Sequence, residues 1–298
     1  MTDLVFCDAH LHLACCGADD DCARAVSSLA NYGGAHYYAC TCAHDETEFA
    51  RQQRLVVALT QGAPDSGGAD FVQDATDAHG GGREAAPSLV RTHLVSAFGI
   101  HPQASDLSRL PLLESLLARR AIGAIGEAGF DLYTEVSTAA VAAQEEAWQA
   151  QVALSERYGV PLIVHCRKAL ERLFRDTSRL RRLPAVVFHS FAGNVQDARS
   201  LLRRGINGYF SFGKPLINGK KSAIACVRDL ADDRLLLETD APYQTLRDES
   251  VTSLAEIRRV YAVAAVLREC SMEVLCAQLA RNFSAVFGDI CMEAPPSL

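Results

Sequence analysis

Two histidines spaced two residues apart, His10 and His12 in the stretch DAHLHL, leave the same face of an extended segment. Further histidines and carboxylates sit where short apolar runs end. His101 closes THLVSAFGIH, Glu127 follows AIGAIG, His165 lies in PLIVHCR, His189 in AVVFHSF, and Asp240 in RLLLETDAP. Imidazole nitrogens and carboxylate oxygens brought together suit zinc, manganese or a similar divalent ion. A central carboxylate can bridge two ions through its two oxygens. Two ions about 3.5–4 Å apart activate a shared water and stabilise a leaving oxygen. Each residue alone also has a plain structural use. A histidine can be satisfied in a core, Glu127 can pair with an arginine, and Asp240 can cap a helix with Pro242 in its first turn. Recurrence at one strand end after another is what favours a metal centre.

The elements that must position these groups alternate. Strand-like runs occur at 4–10, 36–42, 92–101, 121–130, 161–167, 185–191, 207–214 and 234–242. Helical segments are expected at 22–33, 106–120, 138–158, 168–180, 194–205, 219–230, 253–269 and 272–287. Apolar runs between helices mark strands buried on both faces, and the alternation implies parallel crossovers. Eight units predict an α/β fold, a closed (β/α)₈ TIM barrel of the amidohydrolase-like kind; an open doubly wound sheet is the alternative. In such a barrel the working residues gather at the C-terminal ends of the strands. Residues 1–298 read as one hydrolase domain. Residues 62–88, rich in Gly, Ala and Asp and containing His79, read as a mobile loop insertion.

The chain has 298 residues, 49% of them hydrophobic and 22% charged, enough apolar content to bury one large core. Its net charge of −7 excludes nucleic-acid binding through an overall basic field and leaves local contacts. Arg167, just past His165, and Lys214, just past the seventh strand, are expected to contact substrate phosphate, although Lys214 can equally belong to a solvated loop with Lys220 and Lys221. Tyr243 either walls the cleft or packs. Eleven irregularly spaced cysteines, no apolar run near the roughly 20 residues of a membrane span, and no basic leader together lead to the expectation of a reduced cytoplasmic protein with no membrane association. Cys7, Cys15, Cys16, Cys22, Cys40 and Cys42 lack paired CxxC spacing and are expected mostly in the core. The sequence carries no signal for oligomeric state.

The series DAHLHL, GIHP, GEAGFDLY, VHCR, FHSFAG and ETDAPY runs in order over roughly residues 5–243 and is followed by ARNFSAVFG. It resembles the signature series of TatD-related metal-dependent deoxyribonucleases. The resemblance implies two divalent metal ions (Zn, Mg or Mn). His10, His12 and Asp240 would hold one, His165 and His189 the other, and Glu127 would bridge them. It further implies Asp240 as general base, His101 beside a substrate phosphate, and DNA as partner, single-stranded or at 3′ ends, cut by a 3′–5′ exonuclease. The stretch QTLRDESVTS after Tyr243 departs from the family, with only Arg247 and Glu249 echoing its usual loop. Two other readings stay open. One is an amidohydrolase-type enzyme acting on an ester, amide or lactone; many such enzymes bridge their ions with a carboxylated lysine at strand four, where this chain has Glu127. The other is a non-catalytic binding barrel, which loss of ligands would support; none is lost.

Overall fold

The strands are apolar on both faces, and a sheet of that kind is stable only when both sides are covered. In the computed structural model, which describes residues 4–29, 34–61, 90–135 and 139–288, eight strands pair in parallel in sequence order. They are β1 (Leu4–Leu11), β2 (Gly34–Ala43), β3 (Arg91–Phe98), β4 (Ala124–Asp131), β5 (Leu162–Arg167), β6 (Val186–Phe188), β7 (Gly208–Phe212) and β8 (Leu235–Leu237).

The ring closes just beyond β8, where the chain returns to β1. The amide of Asp240 donates to the His10 carbonyl at 3.0 Å, and the amide of His12 to the Ala241 carbonyl at 2.7 Å. One turn deeper, the buried Asp8 carboxylate accepts from the Thr239 amide at 2.9 Å, the Thr239 hydroxyl at 2.6 Å and the Tyr37 hydroxyl at 3.2 Å. A side chain of the first strand thus stitches the last one in place.

Alternate strand residues fill the centre of the barrel. Cys40, Val95, Ile163, Val187 and Leu236 belong to one buried cluster. Phe283, from the last helix, packs into it. The other strand faces pack under the surrounding helices α1 (Asp19–Ser28), α2 (Glu46–Gln61), α3 (Leu110–Ala118), α4 (Val141–Tyr158), α5 (Leu170–Arg175), α6 (Thr177–Leu180), α7 (Val195–Arg203), α8 (Lys221–Asp229), α9 (Ile257–Leu267) and α10 (Met272–Phe287).

The closed barrel agrees with the sequence expectation, and most elements fall where the pattern places them. Helix α2 has no counterpart in that reading. Its start is nevertheless written as a capping motif. The Asp45 side chain accepts from the Glu48 amide at 2.9 Å, while Glu48 reaches back to the His44 amide at 2.8 Å. The helix expected at 168–180 breaks into α5 and α6 at Asp176, whose carboxylate accepts from Trp148 and Gln149 of α4. The insertion expected at 62–88, His79 within it, and the end of the helix expected at 22–33 lie outside the described residues.

Candidate metal centre at the barrel mouth

Inward alternation along the strands continues past the core into the mouth. Ile163 is followed two residues later by His165, Val187 by His189, and Leu236 by Glu238 and then Asp240. Cys42 is followed in the same way by His44. The backbone delivers Glu127 to the middle of this ring. Gly126 lies so close to β5 that a Cβ there would stand 2.5 Å from the Ile163 Cβ. Gly129, with φ of +139°, would place a Cβ 2.1 Å from the His165 carbonyl oxygen. The two glycines of the GEAG stretch let β4 approach β5 on either side of the glutamate. Asp240 adopts a left-handed φ of 55°, which turns its carboxylate into the mouth just after β8.

Glu127 is buried and divides its neighbours between its two oxygens. Oε1 lies 2.6 Å from His10 Nε2, 2.9 Å from His189 Nε2 and 3.7 Å from His12 Nε2. Oε2 lies 2.8 Å from His101 Nε2, 3.7 Å from His165 Nδ1 and 3.9 Å from His44 Nε2. Asp240 Oδ1 stands 3.4 Å from His12 Nε2 and 3.5 Å from His10 Nε2. His189 stands between the two sides, because its Nε2 is also 3.2 Å from His165 Nδ1. Grouped purely by distance, His10, His12, Glu127 and Asp240 form one donor set, and His101, Glu127 and His165 a second.

The charge balance follows from this crowding. Burial alone would raise the Glu127 carboxyl, but His189, His10 and His101 outweigh it and hold the group well below the usual carboxylate range. Burial likewise opposes ionisation of Asp240, and the hydrogen bond from His12 with the nearby His189 and His10 lowers it below its ordinary value. Burial disfavours the charged form of His12, yet Asp240 and Glu127 raise it to about 9.

The donor set fits divalent cations. His10 Nε2 and His12 Nε2 face one another at 3.2 Å, as do His165 Nδ1 and His189 Nε2. Nitrogens that converge in pairs beside buried carboxylates are arranged for a shared positive charge. The supporting contacts are those of ligating histidines. His165 turns its other nitrogen, Nε2, to Asp131 at 3.2 Å. Asp131 is in turn held by Gln103 Nε2 at 2.7 Å. Burial opposes its ionisation, but hydrogen bonds from His165 and the Tyr133 amide hold Asp131 well below the usual carboxylate range. Gln244 donates to Asp240 Oδ2 and to Ser190 Oγ, each at 2.9 Å.

The mouth opens into a cavity of about 570 Å³ lined by the cluster together with Arg167, Lys220, Tyr243 and Gln244. Arg167 lines this cavity. Its side chain is 44% exposed, lies 3.5 Å from Asp131 and stacks over the Tyr133 ring at 4.2 Å. His101 also reaches the cavity. Its Nδ1 accepts from the Gln103 amide at 3.2 Å, so the proton resides on Nε2, which points at Glu127. Tyr243 is 51% exposed and stands edge-on to His12, a wall of the cavity.

Lys214 is a correction. It is wholly buried, with its ammonium bonded to Glu249 and 3.8 Å from Glu256, and it does not line the cavity. The residue past β7 turns inward to anchor the altered segment after Tyr243, and Lys220 faces the cavity instead. Lys214→Met is expected to lower stability by about 1.5–3 kcal/mol, the worth of a charged hydrogen bond, and to leave divalent-metal affinity unchanged. Denaturant titration and metal-binding titration on the same preparation check both halves.

Sequence reasoning missed His44, Asp131, Glu238 and Asp8. The first was findable, since it is the next inward position after Cys42. The acids lie inside or just beyond apolar runs, and only the fold shows which histidine or amide each one serves.

Histidines and carboxylates converging at the C-terminal mouth of an eight-stranded parallel barrel are the arrangement of a metal-dependent hydrolase. The chain belongs to the TatD related DNase family, which it matches over residues 7–288. It is similar to the 3′-5′ ssDNA/RNA exonuclease TatD of Enterobacter lignolyticus, with 32% identity over 211 residues, covering 67% of this chain and 77% of that one. It is 35% identical over 161 residues to the protein of the same name from Dickeya dadantii, a match covering 51% of this chain and 59% of that relative's length. In fold it is similar to the TatD homologue YJJV of Escherichia coli K12, with a TM-score of 0.72 at 24% identity, covering 95% of this chain and 98% of that one. Among the described residues no helix is long and apolar enough to cross a membrane.

Proposed function

We propose that this protein is a dinuclear metal-dependent phosphodiesterase that removes nucleotides from the 3′ end of single-stranded DNA. The observation that carries the proposal is the split of Glu127, which turns one oxygen to His10, His12 and His189 and the other to His101 and His165. His10, His12 and Asp240 would hold one ion and His165 and His189 the other, with Glu127 between. Divalent ions in such a cluster supply charge against phosphoryl oxygens and acidify water. The names of the relatives from E. lignolyticus and D. dadantii, 3′-5′ ssDNA/RNA exonucleases, support a nucleic-acid strand as substrate.

The chain's own groups then divide the work. Asp240 is oriented through Oδ2 by Gln244, which leaves Oδ1 facing the mouth to take a proton from the attacking water. His101 presents an N–H that can turn from Glu127 to a phosphate oxygen. Arg167, tethered by Asp131 and Tyr133, offers a half-exposed guanidinium to the same phosphate. The cavity, about 570 Å³, is bounded by Tyr243 and Lys220 among others.

Purified protein given Mg²⁺, Mn²⁺ or Zn²⁺ should release the label from a 3′-labelled strand in the first turnover and shorten a 5′-labelled strand stepwise. A 3′ phosphorothioate should slow both. If oligonucleotides survive every divalent ion while a carboxyl ester is cleaved, and Glu127→Ala abolishes that cleavage, the nuclease reading fails and the metal hydrolase remains.

A further inference from the structure

His44 reaches the centre of the cluster, yet none of the roles above uses it. It lies just past β2, and its main chain is fixed from both sides. Its amide donates to Glu48 Oε2 at 2.8 Å, and its carbonyl accepts from Arg109 at 2.6 Å. The ring is fixed as well. Nδ1 lies 3.1 Å from the Gly99 carbonyl oxygen, and a carbonyl can only accept, so Nδ1 carries the proton. In the neutral ring Nε2 is therefore a bare lone pair. That nitrogen is buried and has no hydrogen-bond partner.

The lone pair faces Glu127 Oε2 at 3.9 Å. Two donors bound to one ion by bonds of about 2.0–2.2 Å can stand at that separation. His101, nearer to the same oxygen, is the opposite tautomer, because the Gln103 amide donates to its Nδ1 and leaves Nε2 protonated. Of the two imidazoles flanking Oε2 from the β2 and β3 ends, only His44 has its lone pair free. The burial of Nε2 also favours a cation over a substrate group, which would have to reach an atom that water cannot touch.

We propose that His44 is an additional ligand, through Nε2, of the divalent ion held on the Oε2 side of Glu127. The inference rests on the dinuclear reading above. His44→Asn tests it with little disturbance, since the amide can keep a donor near the Nδ1 position for the Gly99 carbonyl while removing the nitrogen at Nε2. Chelator competition with Zn²⁺ and Mn²⁺ on the full chain is expected to show one ion weakened by about tenfold or more, with the other unchanged. The Co²⁺-substituted protein should show a shifted visible absorption band. In the wild-type protein, histidine-selective nitrogen NMR should show the His44 Nε2 resonance moving as Zn²⁺ is added, a readout that does not depend on the variant folding. Two ions bound with wild-type affinity by folded His44→Asn, or a His44 resonance indifferent to Zn²⁺, overturns the inference while Glu127→Ala still loses metal. A wild-type protein that takes up no divalent ion overturns the dinuclear reading and the role of His44 together.

Discussion

Asp240→Asn should leave the barrel folded and lower kcat by about 10²–10⁴-fold, the usual cost of losing a general base. The fold survives because the Asp240 contact that closes the barrel is made by its backbone amide to His10, not by its side chain. The chemistry does not survive because an amide cannot accept the water's proton. Geometry sharpens the loss. Gln244 donates to Oδ2, so the asparagine oxygen is drawn to Gln244 and its NH₂ is turned toward His12 and His10. Circular dichroism, metal content and single-turnover rates on one preparation decide the matter. A variant that keeps its metal and near-normal kcat removes Asp240 from the role of base.

Glu127→Ala should strip the protein of both ions. Each other proposed ligand is assigned to one ion, whereas this carboxylate contacts His10 and His189 through one oxygen and His101 through the other. Its loss leaves facing imidazoles with Asp240 as the one remaining carboxylate of the distance-defined donor sets. His189→Ala, which takes away a single nitrogen, should weaken mainly one ion. Elemental analysis after dialysis separates the two variants. An unaltered metal content in Glu127→Ala would defeat the bridging role.

Much of this is legible in the sequence, for a physical reason. Strands buried on both faces read as apolar runs, and a polar residue at the end of such a run must be accommodated by something specific. That logic located His10, His12, His101, Glu127, His165, His189 and Asp240, and the structure brings all seven to one mouth. It stops short where a run closes one step early: HYYACTC ends at Cys42, and the next inward residue, His44, lies beyond the apolar signal. Helix α2 escaped for a related reason. Its start is marked by the charged stretch DETE rather than by an apolar residue, and the signal is a cap, not a stripe. Lys214 shows the opposite limit. Sequence position past β7 places the Cα near the mouth, but the side chain is turned inward by Glu249 and Glu256, acids 35 and 42 residues further on, and no local pattern reveals that pairing.

The seam between β1 and β8 has a consequence for how the protein comes into being. His10 and His12 come from β1 and its end and Asp240 from just past β8, and Asp8 bonds Thr239 across the same seam. Chains are made from the N-terminus, and most of this one must leave the ribosome before its first histidines meet their partner carboxylate. A nascent chain therefore carries the reactive residues without the reactive centre. The donor set can therefore assemble only once the segment around β8 has been made, as one late event rather than strand by strand.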